Sequence, residues 1–132
     1  MGGGRRRLLI VDDEPTIRFA LSRYLSRRGF EVDATGEDGE ARALMSACSY
    51  DFALLDLRLG GSGGYEGFAL VRFLRERAPG TKIALLTAYG SPEVANEARR
   101  CGANMLIEKP VSLQEIDRIL REHVEAPGPE KA

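Results

Sequence analysis

Five short apolar runs recur along the chain: LLIV at 8–11, FEVDA at 30–34, FALLDL at 52–57, KIALLTA at 82–88 and NMLIE at 104–108. Between them the apolar positions repeat at helical spacing. Ile17, Ala20, Leu21, Tyr24 and Leu25 make one face of a first helix, which Gly29 ends. A second helix fits Glu37 to Ala47, and a third fits Phe68 to Arg77, with Leu70, Val71 and Leu74 inward and Pro79-Gly80 as its stop. The fourth opens on Ser91-Pro92-Glu93 and ends near Gly102. Those three residues supply a capping hydroxyl, a fixed φ at the first helical position and an acid in the first turn. A fifth helix carries Ser112 and Glu115 at capping-box spacing, then the stripe Leu113, Ile116, Ile119 and Leu120.

Strand and helix alternating five times predict an α/β domain with a parallel sheet covered on both faces. The first, third and fourth runs are continuously apolar, as central strands are. The second alternates, with Phe30, Val32 and Ala34 on one side and Glu31 and Asp33 on the other, which predicts an edge strand.

The length of 132 residues suits one domain with a single core. A formal net charge of −1 gives no global field to attract nucleic acid or anionic lipid. No apolar run approaches the length of a membrane span, and the apolar stretch after the N-terminal arginines is too short for a secretory signal. A cytoplasmic protein with no direct nucleic-acid or membrane contact is the expectation. The two cysteines, Cys48 and Cys101, lack the spacing of a zinc or redox motif and read as reduced core or boundary thiols. His123 reads as a surface residue. The tail EAPGPEKA is proline, glycine and charge, a composition that predicts disorder.

In an open α/β sheet, ligands bind beyond the carboxyl ends of the strands. The isolated polar residues fall there: Asp12 and Asp13 after the first run, Asp56 after ALL in the third, Thr87 at the end of the fourth, Lys109 after the fifth. Each alone fits a solvated strand end, and Asp12-Asp13 also fits an acidic helix start. Asp56 is harder to read that way, because it sits inside an apolar strand. Three clustered carboxylates repel one another and suit a hard divalent cation such as Mg²⁺. A cation, an ammonium and a hydroxyl around one carboxylate describe a site that stabilises a phosphoryl group during transfer. Asp56 would be the nucleophile, giving an aspartyl phosphate, with Asp12 and Asp13 holding the metal.

LLIVDDEP, FALLDLRL, IALLTAYG and MLIEKP resemble, in order, the four site motifs of the receiver domain of bacterial two-component response regulators. The resemblance implies a flavodoxin-like (βα)5 three-layer sandwich with strand order 2-1-3-4-5, a domain over residues 7–124, and flexible termini at 1–6 and 125–132. It implies Asp56 as phosphoacceptor, Mg²⁺ bound directly by Asp13, Asp56 and the Arg58 backbone carbonyl, and Asp12 acting through water. Thr87, Lys109 and the Ala88 backbone amide would contact the phosphoryl oxygens, and Lys109–Pro110 would be a cis peptide. A sensor histidine kinase or phosphotransfer protein would donate the phosphoryl group. A downstream partner would dock on the face made by the fourth helix, fifth strand and fifth helix.

Two positions depart from the family pattern. The loop after the third strand, RLGGSGGYEG, is longer and lacks the usual proline, and its glycines at 60, 61, 63 and 64 predict mobility; Gly67 matches the family glycine. Leu106 stands where many receivers carry a tyrosine or phenylalanine that turns inward on phosphorylation. Tyr89, two residues after Thr87, is the alternative reporter, or else a shield over the site. The main competing function is a pseudo-receiver, a protein-interaction module not regulated by phosphorylation. A haloacid-dehalogenase phosphatase needs Asp-x-Asp at the first strand, and a flavodoxin-type carrier needs a Ser/Thr-rich phosphate loop there. DDEP satisfies neither.

Overall fold

The computed structural model describes residues 6–58 and 66–125, with side chains through His123. The glycines at 60, 61, 63 and 64 and most of both terminal segments lie outside the described residues, and with them the expectations about their mobility. Five strands, β1 (Arg6–Val11), β2 (Phe30–Thr35), β3 (Phe52–Asp56), β4 (Lys82–Thr87) and β5 (Met105–Glu108), alternate with five helices: α1 (Pro15–Arg27), α2 (Asp38–Ala47), α3 (Glu66–Arg77), α4 (Pro92–Cys101) and α5 (Leu113–Glu125). β1 and α5 each reach one residue beyond the expected domain limits. All pairings are parallel, in the order β2-β1-β3-β4-β5.

Side chains alternate across a strand, so each central strand feeds two cores. Leu9, Val11, Ala53, Leu55, Ile83 and Leu85 pack toward α2, α3 and α4. Leu8, Ile10, Leu54, Leu86 and Ile107 pack toward α1 and α5. Burial on both faces is why these runs carry no polar residue until their C-terminal ends. Each fully buried leucine contributes about 1.5–3 kcal/mol.

Local signals hold with three corrections. Ser91 Oγ accepts from the Val94 amide at 3.1 Å, and Gly102 takes the left-handed conformation (φ 113°) that ends α4. At α5, Ser112 Oγ accepts from the Glu115 amide at 3.0 Å, but the Glu115 carboxylate turns to Arg118, so only half of the expected box forms. On β2, Phe30 is buried as expected, yet Ala34 is exposed and Asp33 is half-buried. Asp33 tolerates this because the Tyr50 hydroxyl donates to it at 2.6 Å and Arg7 pairs with it at 3.5 Å. On α1, Ile17 leaves the core and is 37% exposed. Cys48 and Cys101 are both free thiols, half-buried and buried, and His123 is half-buried.

Candidate functional site

The sheet's C-terminal edge carries the site. The Asp12 amide donates to Thr35 O at 3.0 Å, continuing the β1–β2 ladder by one residue. The Lys109 amide donates to Thr87 O at 2.7 Å, continuing β4–β5. Lys109–Pro110 is cis. The first extension brings Asp12 level with Asp56, the last residue of β3. Lys109 lies two residues past Ile107, the β5 residue level with Asp56, and its long side chain reaches back to the acid.

Asp12, Asp13 and Asp56 each present one carboxylate oxygen, and the three oxygens lie within 4.8 Å of one another. Asp12 is 1% exposed, Asp56 is buried and Asp13 is open to solvent. Lys109 Nζ donates to Asp56 Oδ2 at 3.2 Å and lies 3.7 Å from Asp12 Oδ2. Asp56 Oδ1 accepts from the Arg58 amide at 3.2 Å. Asp12 Oδ1 accepts from the Glu14 amide at 2.9 Å, while its Oδ2 is buried without a hydrogen-bond partner.

The Lys109 ammonium therefore lies against two buried acids, with the Asp13 carboxylate beside them. Burial pushes the Asp12 carboxyl above its ordinary range, and Asp56 and Asp13 push it further, against the Glu14 amide and Lys109. A hard-oxygen donor set with a buried carboxylate oxygen that accepts no hydrogen bond fits a divalent cation such as Mg²⁺.

A carboxyl whose folded-state pKa is raised favours the folded state at low pH. That contribution is lost as pH rises from the ordinary carboxylate value through the raised one. At neutral pH and without metal, charged Asp12 thus costs stability. Asp12→Asn is expected to raise the metal-free melting temperature at pH 7 and to flatten its fall with rising pH above pH 4. Mg²⁺ at ten times its Kd should stabilise the wild type by about 1.4 kcal/mol, and the variant by less. Thermal melts across pH, with and without Mg²⁺, check both statements.

Thr87 is buried, and its Oγ1 accepts from the Tyr89 amide at 3.2 Å, with Tyr89 O 3.4 Å away. Leu106 is half-buried against the α2–α3–α4 core. Tyr89 is 75% exposed, so its side chain points into solvent.

Arg18 was not singled out by the sequence, yet its Nη1 donates to the Asp12 carbonyl at 2.8 Å and braces the β1–α1 turn. Helical spacing marks Arg18 only as a polar position on α1. Gly67 has a steric role. A Cβ there would lie 2.6 Å from Leu57 Cα and 2.7 Å from Asp56 O, so α3 starts flush against the backbone that carries Asp56.

A family model for the response regulator receiver domain matches residues 8–121. The chain belongs to the response regulator receiver family. This receiver is 35% identical over 126 residues to the response regulator protein PilR of Pseudomonas aeruginosa, covering 96% of this chain and 28% of that protein. It thus spans a little over a quarter of that relative's length. Among solved structures it superposes on a CheY-like receiver domain protein from Methanospirillum hungatei with TM-score 0.85 at 28% identity, covering 92% of this chain and 95% of that one. A response regulator from Burkholderia pseudomallei, crystallised with a phosphorylated aspartic acid, a calcium ion and citrate, gives TM-score 0.77 at 29% identity, covering 92% and 75%. These matches confirm the receiver reading, and the complete set of acids, threonine and lysine does not favour a pseudo-receiver. Among the described residues, no helix is long and apolar enough to cross a membrane.

Proposed function

We propose that this receiver takes a phosphoryl group onto Asp56 from a phosphohistidine of a sensor histidine kinase or phosphotransfer protein. The carrying observation is Lys109 Nζ at 3.2 Å from Asp56 Oδ2 beside Asp12 and Asp13. An Asp56 carboxylate oxygen attacks phosphorus. The donor's P–N bond breaks, and its electron pair returns to the imidazole, which takes up a proton. Lys109 offsets charge on the phosphoryl oxygens, and the Thr87 hydroxyl and Ala88 amide donate hydrogen bonds to them. Asp12, Asp13, Asp56 and the Arg58 carbonyl would hold Mg²⁺, which when bound supplies positive charge between the acids and the phosphoryl oxygens. A related structure that holds both a phosphorylated aspartic acid and a calcium ion supports an aspartyl acceptor and a divalent cation here. The domain promotes only its own phosphorylation and dephosphorylation, and it signals through the α4–β5–α5 face.

A protein donor must rest on the surface around Asp56. A groove of about 540 Å³ opens there between α1 and α5, lined by Ile17, Ala20, Ala88, Pro110 and Leu113 among others, with Lys109 at its edge. The 37%-exposed Ile17 carries apolar surface into this groove. Ile17→Asp is expected to slow phosphotransfer from a protein donor by about tenfold or more, the scale of losing one buried apolar contact. A small phosphodonor should label the variant at the wild-type rate. Time courses with both donors test the proposal: equal loss with both places the defect in the site, and no loss with either removes the groove from the donor's path.

A further inference from the structure

We infer that Glu108 is a positioning residue that controls whether the Thr87 hydroxyl is free to meet a phosphoryl group; this rests on the roles proposed above for Asp56 and Thr87. Glu108 ends β5, directly opposite Thr87 in the β4–β5 register. Leu106 packs toward α4 and Ile107 toward α5, so alternation puts Glu108 on the α4 side, under the loop that follows β4. Its Oε2 accepts from the Gly90 amide at 3.0 Å. A Cβ on Gly90 would lie 3.0 Å from both Cδ and Oε2 of Glu108, so the carboxylate rests directly on the loop backbone.

The Gly90 N–H belongs to the same peptide unit as the Tyr89 carbonyl. That carbonyl is the oxygen 3.4 Å from Thr87 Oγ1, while the Tyr89 amide donates to the same Oγ1 at 3.2 Å. Glu108 thus grips one end of a peptide whose other end faces the Thr87 hydroxyl. A carboxylate on the N–H polarises the peptide and makes its carbonyl a stronger acceptor. The Thr87 proton is drawn toward Tyr89 O, away from any phosphoryl oxygen. At 3.4 Å that contact is weak, so it exchanges readily once Thr87 finds a better acceptor.

Removing the grip raises the fraction of molecules in which Thr87 is free, and the apparent labelling rate follows that fraction. With a small phosphodonor and Mg²⁺, Glu108→Ala should be phosphorylated about three- to tenfold faster than wild type, as suits one exposed charge-assisted bond. Its Gly90 amide should exchange faster. Glu108→Gln keeps an oxygen that accepts from Gly90 but without the charge, and should react at a rate between wild type and Glu108→Ala. Gly90→Ala pushes the flexible carboxylate aside and should match Glu108→Ala, and the double variant should add nothing, since both break one contact. In a Thr87→Ala background, Glu108→Ala should have no effect.

Equal rates for wild type and Glu108→Ala would overturn the inference. So would Glu108→Gln reacting as fast as Glu108→Ala, which would mean that only the charge near the acid cluster matters. An effect that persists without Thr87 would do the same. A wild type that takes no label at all would instead overturn the reading of Asp56.

Discussion

An Asp56→Asn variant is expected to fold as the wild type does and to take up no phosphoryl group. Asparagine keeps the shape of the side chain, so the buried end of β3 is undisturbed. The amide is not a nucleophile, and among the described residues no other carboxylate shares Asp56's contacts with both Lys109 Nζ and the Arg58 amide. Lys109 keeps Asp12 as an ion-pair partner at 3.7 Å, so no cation is stranded. Losing one of three crowded acids relieves repulsion, and metal-free stability should hold or rise. Intact-mass time courses with a small phosphodonor, and melting curves on the same samples, read both outcomes.

Gly67→Ala is expected to damage fold and site together. Gly67 does not need an unusual backbone conformation; it needs space. The added methyl would meet Leu57 Cα at 2.6 Å and the carbonyl oxygens of Asp56 and Leu57 at 2.7 and 2.9 Å, all backbone atoms with no side chain to swing away. The Gly67 amide also donates to Leu57 O at 2.8 Å, so α3 cannot retreat without losing that bond. Overpacking of this kind costs about 1–3 kcal/mol or more, against a gain of about 1 kcal/mol from alanine's helix preference. A net loss of about 1–2 kcal/mol would lower the melting temperature by roughly 3–10 °C. The labelling rate should fall as well, because the displaced backbone carries Asp56. A variant that melts and labels like wild type would show that α3 can start elsewhere.

A parallel α/β sheet with β2 at its edge, and the convergence of Asp12, Asp13, Asp56 and Lys109, could be read from the chain because both follow from periodicity, whereas the full strand order came from the resemblance to receiver domains. A strand buried on both faces has to be apolar, so Asp56 inside FALLDL stands out as a residue kept for chemistry. Other features depend on contacts between distant segments. Ile17 matches the α1 stripe by spacing, but α5 leaves a groove there and exposes it. Asp33 is half-buried only because Tyr50 and Arg7, from other segments, reach it. The Arg18 bond to the Asp12 carbonyl and the peptide shared by Thr87 and Glu108 both involve main-chain atoms, which leave no trace in residue type. Glu115 follows the capping pattern, yet Arg118 one turn on competes for its carboxylate.

The central claim is that Asp56 carries the phosphoryl group, and locating it in the wild-type protein tests this most directly. After labelling with a small phosphodonor and Mg²⁺, borohydride reduces an aspartyl phosphate to homoserine, which sequencing by tandem mass spectrometry places on the chain. Homoserine at position 56 and nowhere else is the predicted result. Homoserine at Asp12 or Asp13, or a phosphoryl group retained on His123 or a hydroxyl side chain after reduction, would contradict it.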